Sequence, residues 1–175
     1  MDAEDEWTFS NKFDYIHGRA LAACFKDPAS VLRQAFDSLA PGGYLELQDG
    51  VFPFQFIGEP PTESYLQKWG EMMMAGGEKA GRPWNNVQYY NSWLEEIGFE
   101  DVVQKTFYWP VGPWAEGEYF KQVGKLFQAD LLHSLEGISL KMMGLTGWSG
   151  DEIKDFIEGL RKALLDTSIH GYLPM

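Results

Sequence analysis

Cysteine is almost missing from this chain: Cys24 stands alone, which rules out an internal disulfide. Its neighbours Leu21, Ala22, Ala23 and Phe25 suggest a free thiol packed as a small hydrophobe, and the expected setting is a reducing, cytoplasmic one. Basic residues are scarce as well. With 14 Lys and Arg against 26 Asp and Glu, the formal net charge is -12. Such a surface repels phosphates and anionic headgroups, so neither nucleic acid nor a membrane is an expected partner. No apolar run approaches the ~20 residues of a membrane span. The acidic opening Asp2-Ala3-Glu4-Asp5-Glu6 is the reverse of a signal peptide's basic start. His, Cys and carboxylates never gather at metal-ligand spacing, and no metal site is expected. Repeats, low-complexity tracts and linkers are also missing, so residues 1–175 read as a single domain.

What the chain has in quantity is apolar and aromatic surface. Hydrophobic residues make up 45% of it and aromatics 15%, with seven Trp and seven Met. At 175 residues it is long enough to bury a core without disulfides or metal clips. The aromatic surplus favours a lined pocket.

The order of elements is legible in places. Phe13 to His17 reads as a short buried strand. Asp27-Pro28 then supplies an N-cap and a first-turn proline, and Val31, Leu32, Ala35, Phe36 and Leu39 recur at helical spacing up to Pro41-Gly42-Gly43. Tyr44 to Gln48 follows as a second strand, giving a βαβ unit with a parallel, right-handed crossover. Further on, Thr62 is placed to cap a helix running to about Gly76, and a helix is expected from Asn86 to Ile97, stopped by Gly98. Phe99 to Trp109 alternates like a strand. Helices are expected over Glu118 to Leu135, Ile138 to Leu145 and Asp151 to Leu165, the last with a capping box of Ser149 and Glu152.

The run Phe13-Asp14-Tyr15-Ile16-His17-Gly18-Arg19-Ala20-Leu21 closely resembles the fourth strand of class I S-adenosylmethionine-dependent methyltransferases of the fungal secondary-metabolism type. Leu39-Ala40-Pro41-Gly42-Gly43-Tyr44-Leu45-Glu46-Leu47-Gln48-Asp49 is similar to the family's turn and fifth strand. The likeness continues through Trp93 to Phe99, Trp109 to Trp114, Lys121 to Gly124 and Gly147-Trp148-Ser149. The resemblance implies an α/β class: a partial, truncated Rossmann-like methyltransferase fold with a few-stranded sheet and a large helical portion. It also implies that the substrate-binding half is present, while the glycine-rich loop and acidic ribose-binding residue of the cofactor-binding half have no match. Gly76 to Gly81 ends a helical run rather than following a strand, and so fails the test for such a loop. By the resemblance, Asp2-Ala3 sits where an acidic residue and a small one contact the adenine of the cofactor. Similar proteins also continue past Tyr172 to Met175 into a final antiparallel strand.

Candidate catalytic residues come from strand ends, where open α/β sheets place ligands. His17 is an acid or base candidate, with a hydrogen-bonded structural role as the alternative. Arg19 could stabilise an enolate or carboxylate, or form a salt bridge with Asp14 or Glu46. Gln48 and Asp49 close the second strand as exposed polar candidates. His133, among Leu131, Leu132 and Leu135, is either functional or a buried core histidine, and His170 lies near a frayed end. Trp69, Met73, Trp84, Tyr89, Trp93, Trp114 and Phe120 are of the types that line apolar small-molecule pockets, or else pack the core.

Three functions fit these readings. The first is a repurposed enzyme that needs no cofactor and folds a hydrophobic small-molecule intermediate for cyclisation or isomerisation. The second is an S-adenosylmethionine-dependent methyltransferase present in part or completed by a partner chain. The third is a non-catalytic regulatory binding module. The open edge of the first strand favours a homodimer.

Overall fold

The computed structural model describes residues 2–175. Its first strand, β1 (Phe13–Arg19), is followed by helix α1 (Pro28–Ser38) and strand β2 (Leu39–Gln48). β1 and β2 pair in parallel, with Tyr15 opposite Tyr44, His17 opposite Glu46 and Arg19 opposite Gln48. The expected βαβ unit is therefore present, and Asp27 caps α1 by accepting the Ser30 N–H at 3.0 Å. The Pro41-Gly42-Gly43 turn lies inside β2 rather than before it, absorbed as an irregularity opposite Phe13 to Tyr15. Glycine is needed there: Gly42 has φ +80, and a Cβ on Gly43 would lie 3.0 Å from the Phe13 carbonyl oxygen.

β1 is not the buried strand its composition suggests. Its residues alternate between half-buried and exposed, because a two-stranded sheet leaves Tyr15, His17, Arg19, Tyr44, Glu46 and Gln48 on an uncovered face. Cys24 is exposed too, so it does not pack as a core hydrophobe.

The second layer is helical. Helix α2 (Tyr65–Lys79) is capped by Ser64, whose hydroxyl accepts the Gln67 N–H at 3.3 Å; Thr62 stays outside and exposed. α2 runs through Gly76 and Gly77 because both are close-approach positions: a Cβ would meet the Met142 carbonyl oxygen at 2.4 Å and the Trp84 ring at 2.4 Å. A 3-10 segment (Trp84–Tyr89) leads into α3 (Tyr90–Ile97), so the expected helix starts as a tighter turn. Gly98 ends α3 with φ +115. The strand expected over Phe99 to Trp109 shrinks to Tyr108–Pro110, since the residues from 103 to 107 are exposed.

Helix α4 is one continuous element, Glu118–Leu145, where a break near Gly137 was expected. Leu131, Leu135, Ser139 and Met143 recur every fourth residue on its buried stripe. That packing outweighs the ~1 kcal/mol propensity cost of one glycine. α5 (Gly150–Leu165) carries the expected Ser149–Glu152 capping box. The chain closes in a strand, Gly171–Pro174, which pairs antiparallel with Gln55–Phe56 on one side and Tyr108–Pro110 on the other. In chain order these three are β3 (Gln55–Phe56), β4 (Tyr108–Pro110) and β5 (Gly171–Pro174), so residues expected to lie ahead of a strand themselves form one, in a sheet separate from β1 and β2. His170 is accordingly not frayed: its carbonyl accepts the Ile57 N–H at 3.0 Å, and its ring stacks on Trp114 at 4.8 Å.

The main core lies between α2, α4, α5 and β5, built from Phe54, Trp69, Met73, Leu135, Leu160 and Leu173. At its centre the fully buried Trp69 Nε1 donates to Ser139 Oγ at 2.9 Å. Together these parts make an α/β protein, with a partial Rossmann-like βαβ unit beside a large helical layer. Ser139→Ala is expected to lower unfolding free energy by about 1–3 kcal/mol, because it strands a buried donor. Urea denaturation would show this as a lower midpoint at unchanged slope.

Candidate functional site

The C-terminal ends of β1 and β2 point to one place, and Asp49 organises it. Its side chain is buried, at 8% exposure, rather than exposed as the strand-end position suggested. The reason is its hydrogen bonding. The carboxylate accepts the Leu21 N–H at 2.9 Å, the Ala22 N–H at 3.1 Å and the Tyr90 hydroxyl at 3.2 Å. Asp49 thereby fixes the loop leaving β1, where Ala20 and Ala23 hold φ values of 53 and 58, and ties it to α3. Burial pushes its carboxyl above the usual carboxylate range, partly offset by those hydrogen bonds. Burial and the neighbouring Asp49 charge also raise the Tyr90 phenol, and partial desolvation with the same charge raises the Cys24 thiol.

The same loop is held from two further directions. Glu4 accepts the Lys26 N–H at 2.6 Å and the Asp27 N–H at 3.3 Å. Arg82 pairs with Glu4 at 2.8 Å and donates to the Cys24 carbonyl. Trp7 anchors the N-terminal segment, with its Nε1 donating to the Ala3 carbonyl at 3.0 Å and its backbone N–H donating to Gln34 at 2.9 Å. Asp2 accepts the Glu4 N–H at 3.1 Å, which shapes the turn containing Ala3. Beside it, along β1, lies an apolar cleft of about 330 Å³ lined by Ala3, Trp7, Phe9, Phe13, Tyr15 and Ile16.

The other candidates scatter. His17 and Arg19 lie on the uncovered face of β1 with Gln48 of β2. His17 stacks on Tyr15 at 6.3 Å, and Gln48 donates to Glu46 at 2.7 Å. The Tyr15 hydroxyl donates to the Glu46 carboxylate, and Arg19 forms no ion pair with Asp14 or Glu46. His133 is exposed on α4, away from these strands, and is not a core histidine. Trp69 and Met73 are core residues, while Tyr89 pairs with Trp93 at 5.6 Å and Trp84 packs on Phe52 at 4.6 Å. Trp114 stacks on His170, and Phe120 is exposed on α4. The seven aromatic and Met candidates therefore do not line one pocket. The larger concavity, about 680 Å³ between α2 and α5, is lined instead by Tyr65, Lys68, Met72, Trp148, Asp155 and Phe156 among others.

Sequence reasoning missed Glu4, Arg82 and Tyr90. For Tyr90 a signal existed in the Tyr89-Tyr90 pair opening α3, but helix phase decides which ring turns inward. For Arg82 no local signal exists, since its partner lies 78 residues away. Among the described residues no group of His, Cys, Asp and Glu could hold a metal ion, and no helix is long and apolar enough to cross a membrane.

Asp49 sets a pH dependence whose sign follows from its raised pKa. The folded state holds the proton more tightly than the unfolded chain between the ordinary value of 3.8 and the raised one. The stability of wild type relative to Asp49→Asn should therefore fall as pH rises across that window, and stay level above it. Urea denaturation of both proteins over a pH series checks this; a difference independent of pH would contradict it.

A family model described as a methyltransferase domain matches residues 1–105. The chain is 31% identical to the protein named "Probable methyltransferase tdiE" of Emericella nidulans over 99% of its length and 55% of the relative's. It is 28% identical to methyltransferase pytC of Aspergillus terreus over 97% of its length and 53% of the relative's. It is 30% identical to the secondary metabolism regulator laeA of Gibberella zeae over 91% of its length and 52% of the relative's. The chain thus spans about half the length of the curated relatives it matches. With β1, α1, β2 and the cleft beside Ala3 inside the matched span, the chain belongs to the class I S-adenosylmethionine-dependent methyltransferase family, of the type found in fungal secondary metabolism.

Proposed function

We propose that this chain supplies the adenine-side strand and the acceptor wall of an S-adenosylmethionine-dependent methyltransferase that acts on a hydrophobic small molecule. The observation that carries this reading is the apolar cleft of about 330 Å³ against β1, which begins at Ala3 of the Asp2-Ala3 pair. Adenine is planar and presents two large faces, so the rings of Trp7, Phe9 and Phe13 suit its stacking, and Asp2 could take its exocyclic amine. The adenine end of the cofactor therefore fits the residues present. For its methionine end the described residues offer no glycine-rich loop following a strand: β1 runs into the clamped Ala20 turn and β2 into Asp49. When bound, the cofactor supplies an electrophilic methyl group; this chain's share is to stack the adenine and wall the acceptor. The remaining cradle would come from strands that pair with the free edge of β1, whether in the same protein or from a partner.

A cofactor-free cyclisation or isomerisation asks for an acid or base facing an enclosed apolar cavity. His17 and Arg19 lie on an open face and Asp49 is engaged by backbone amides and Tyr90, so these observations favour methyl transfer. The 30% identity to a named secondary metabolism regulator supports a second reading, in which the same fold serves regulation.

Saturation-transfer NMR with adenosine tests the cleft. Saturation should reach the adenine protons more strongly than those of uridine, and Phe9→Ala should reduce it by more than half; Phe9 is 47% exposed, so the fold should tolerate the change. Equal transfer to both nucleosides would overturn the reading.

The free edge of β1 makes a separate prediction: the isolated chain should self-associate through it. A monodisperse monomer in light scattering at high protein concentration would show that the edge is not available for pairing.

A further inference from the structure

Glu4 stands two residues from Asp2 in the segment that borders the cleft, and its carboxylate joins stretches of chain that are far apart in sequence. One oxygen takes the Lys26 and Asp27 amides at 2.6 and 3.3 Å, and the other takes Arg82 Nη2 at 2.8 Å. The second Arg82 nitrogen, Nη1, donates to the Cys24 carbonyl. One guanidinium thus spans the N-terminal segment and the loop leaving β1, from a base at the end of α2.

That base is rigid. The Arg82 N–H donates to the Gly77 carbonyl at 2.8 Å, Gly81 before it takes φ +67, and Pro83 follows. α2 itself is fixed in the core by Trp69 and Met73. The remaining ion pairs among the described residues are i,i+3 contacts, one within α4 and two within α5. The Arg82–Glu4 pair alone crosses elements, and its side chains are only 29% and 21% exposed, so water and salt screen it less than a surface pair.

We propose that Arg82 is a positioning residue that holds the adenine-side segment and the loop leaving β1 to the end of α2, so that Ala3 and that loop move with α2. The proposal rests on the methyltransferase reading given above. A lysine could reach Glu4 but could not also fork to the Cys24 carbonyl, because its single ammonium lacks the planar pair of donors.

Hydrogen exchange followed by mass spectrometry on wild type, Arg82→Gln, Arg82→Lys and Glu4→Gln tests this together with adenosine titration. In Arg82→Gln the amides of residues 2–7 and 20–27 should exchange about tenfold faster while those of α5 stay protected, which separates local release from global unfolding. Combining Arg82→Gln with Glu4→Gln should loosen the loop by less than the sum of the two single effects, because the two share the ion pair but each also holds the loop by a bond of its own. Adenosine should bind Arg82→Gln about tenfold more weakly, with Arg82→Lys in between. Unchanged exchange in Arg82→Gln overturns the proposal, as does altered exchange with unaltered adenosine affinity. If wild type binds no adenosine, the methyltransferase reading fails, and the exchange result alone decides whether Arg82 holds the loop.

Discussion

A buried carboxylate at the end of a strand ties a strand, a loop and a helix of this protein together. Asp49 accepts two consecutive amides of the loop leaving β1 and the hydroxyl of Tyr90. Each of those donors would otherwise have to find water at a place where strand, loop and helix meet. Burying a charge is unfavourable unless it is hydrogen-bonded, and here the donors come from the backbone, which cannot easily rotate away. The arrangement fixes three things at once: the path of the chain after β1, the seat of α3, and the direction in which the C-terminal strand ends open. The two alanines with positive φ in that loop are strained positions for residues with a Cβ, and they persist because Asp49, Glu4 and Arg82 hold the loop from different sides.

The molecule has two unequal supports for this end. The helical layer is well buried, with Trp69, Leu135, Met143 and Leu160 almost wholly excluded from solvent. The βαβ unit is thinner: α1 buries Val31, Leu32 and Ala35, but neither strand buries a residue short of Asp49. Parallel strands are usually covered on both faces and read as continuous aliphatic runs. β1 and β2 instead alternate, with Tyr15, His17 and Arg19 facing the same way as Tyr44, Glu46 and Gln48. The Arg82–Glu4 bridge and the Asp49 cluster, with the Val51 N–H donated to the Pro174 carbonyl at 2.8 Å, thus tie a lightly packed strand pair to the rest of the fold.

How much of this was legible depended on whether the determining interaction was local. The Asp27-Pro28 start of α1, the Gly98 stop of α3 and the Ser149–Glu152 capping box are decided within a few residues, and each stands as the sequence implied. The family resemblance, too, rests on contiguous runs such as Phe13 to Leu21, and the methyltransferase match over residues 1–105 covers them. What failed was decided at a distance. The length of α4 past Gly137 depends on packing against α2 and α5; the loss of most of the Phe99 to Trp109 strand depends on the absence of a partner for its first half. Asp49 was correctly placed at the mouth of the strands but wrongly exposed, because its donors are the backbone amides of Leu21 and Ala22, which carry no side-chain signature.

The scatter of the aromatic candidates has the same origin. Trp and Met are ambiguous in sequence because the apolar area that would hold a ligand is the area that fills a core. Trp69 is settled by the hydrogen bond from its indole to Ser139, a buried partner that only the crossing of α2 with α4 can supply. Trp7 and Phe9 were given no role and Phe13 only that of a strand residue, since nothing marks the three as a group: they meet because the segment ahead of β1 brings the first two beside the third, with rings 5.8 and 5.0 Å apart. The unpaired edge of β1 is where a neighbouring strand would pair, and the same strand lines the cleft through Phe13, Tyr15 and Ile16. Under the proposed function, cofactor binding and completion of the sheet would therefore draw on the same strip of β1. A strand added to that edge would wall the cleft, and a ligand held there would favour the strand that covers it.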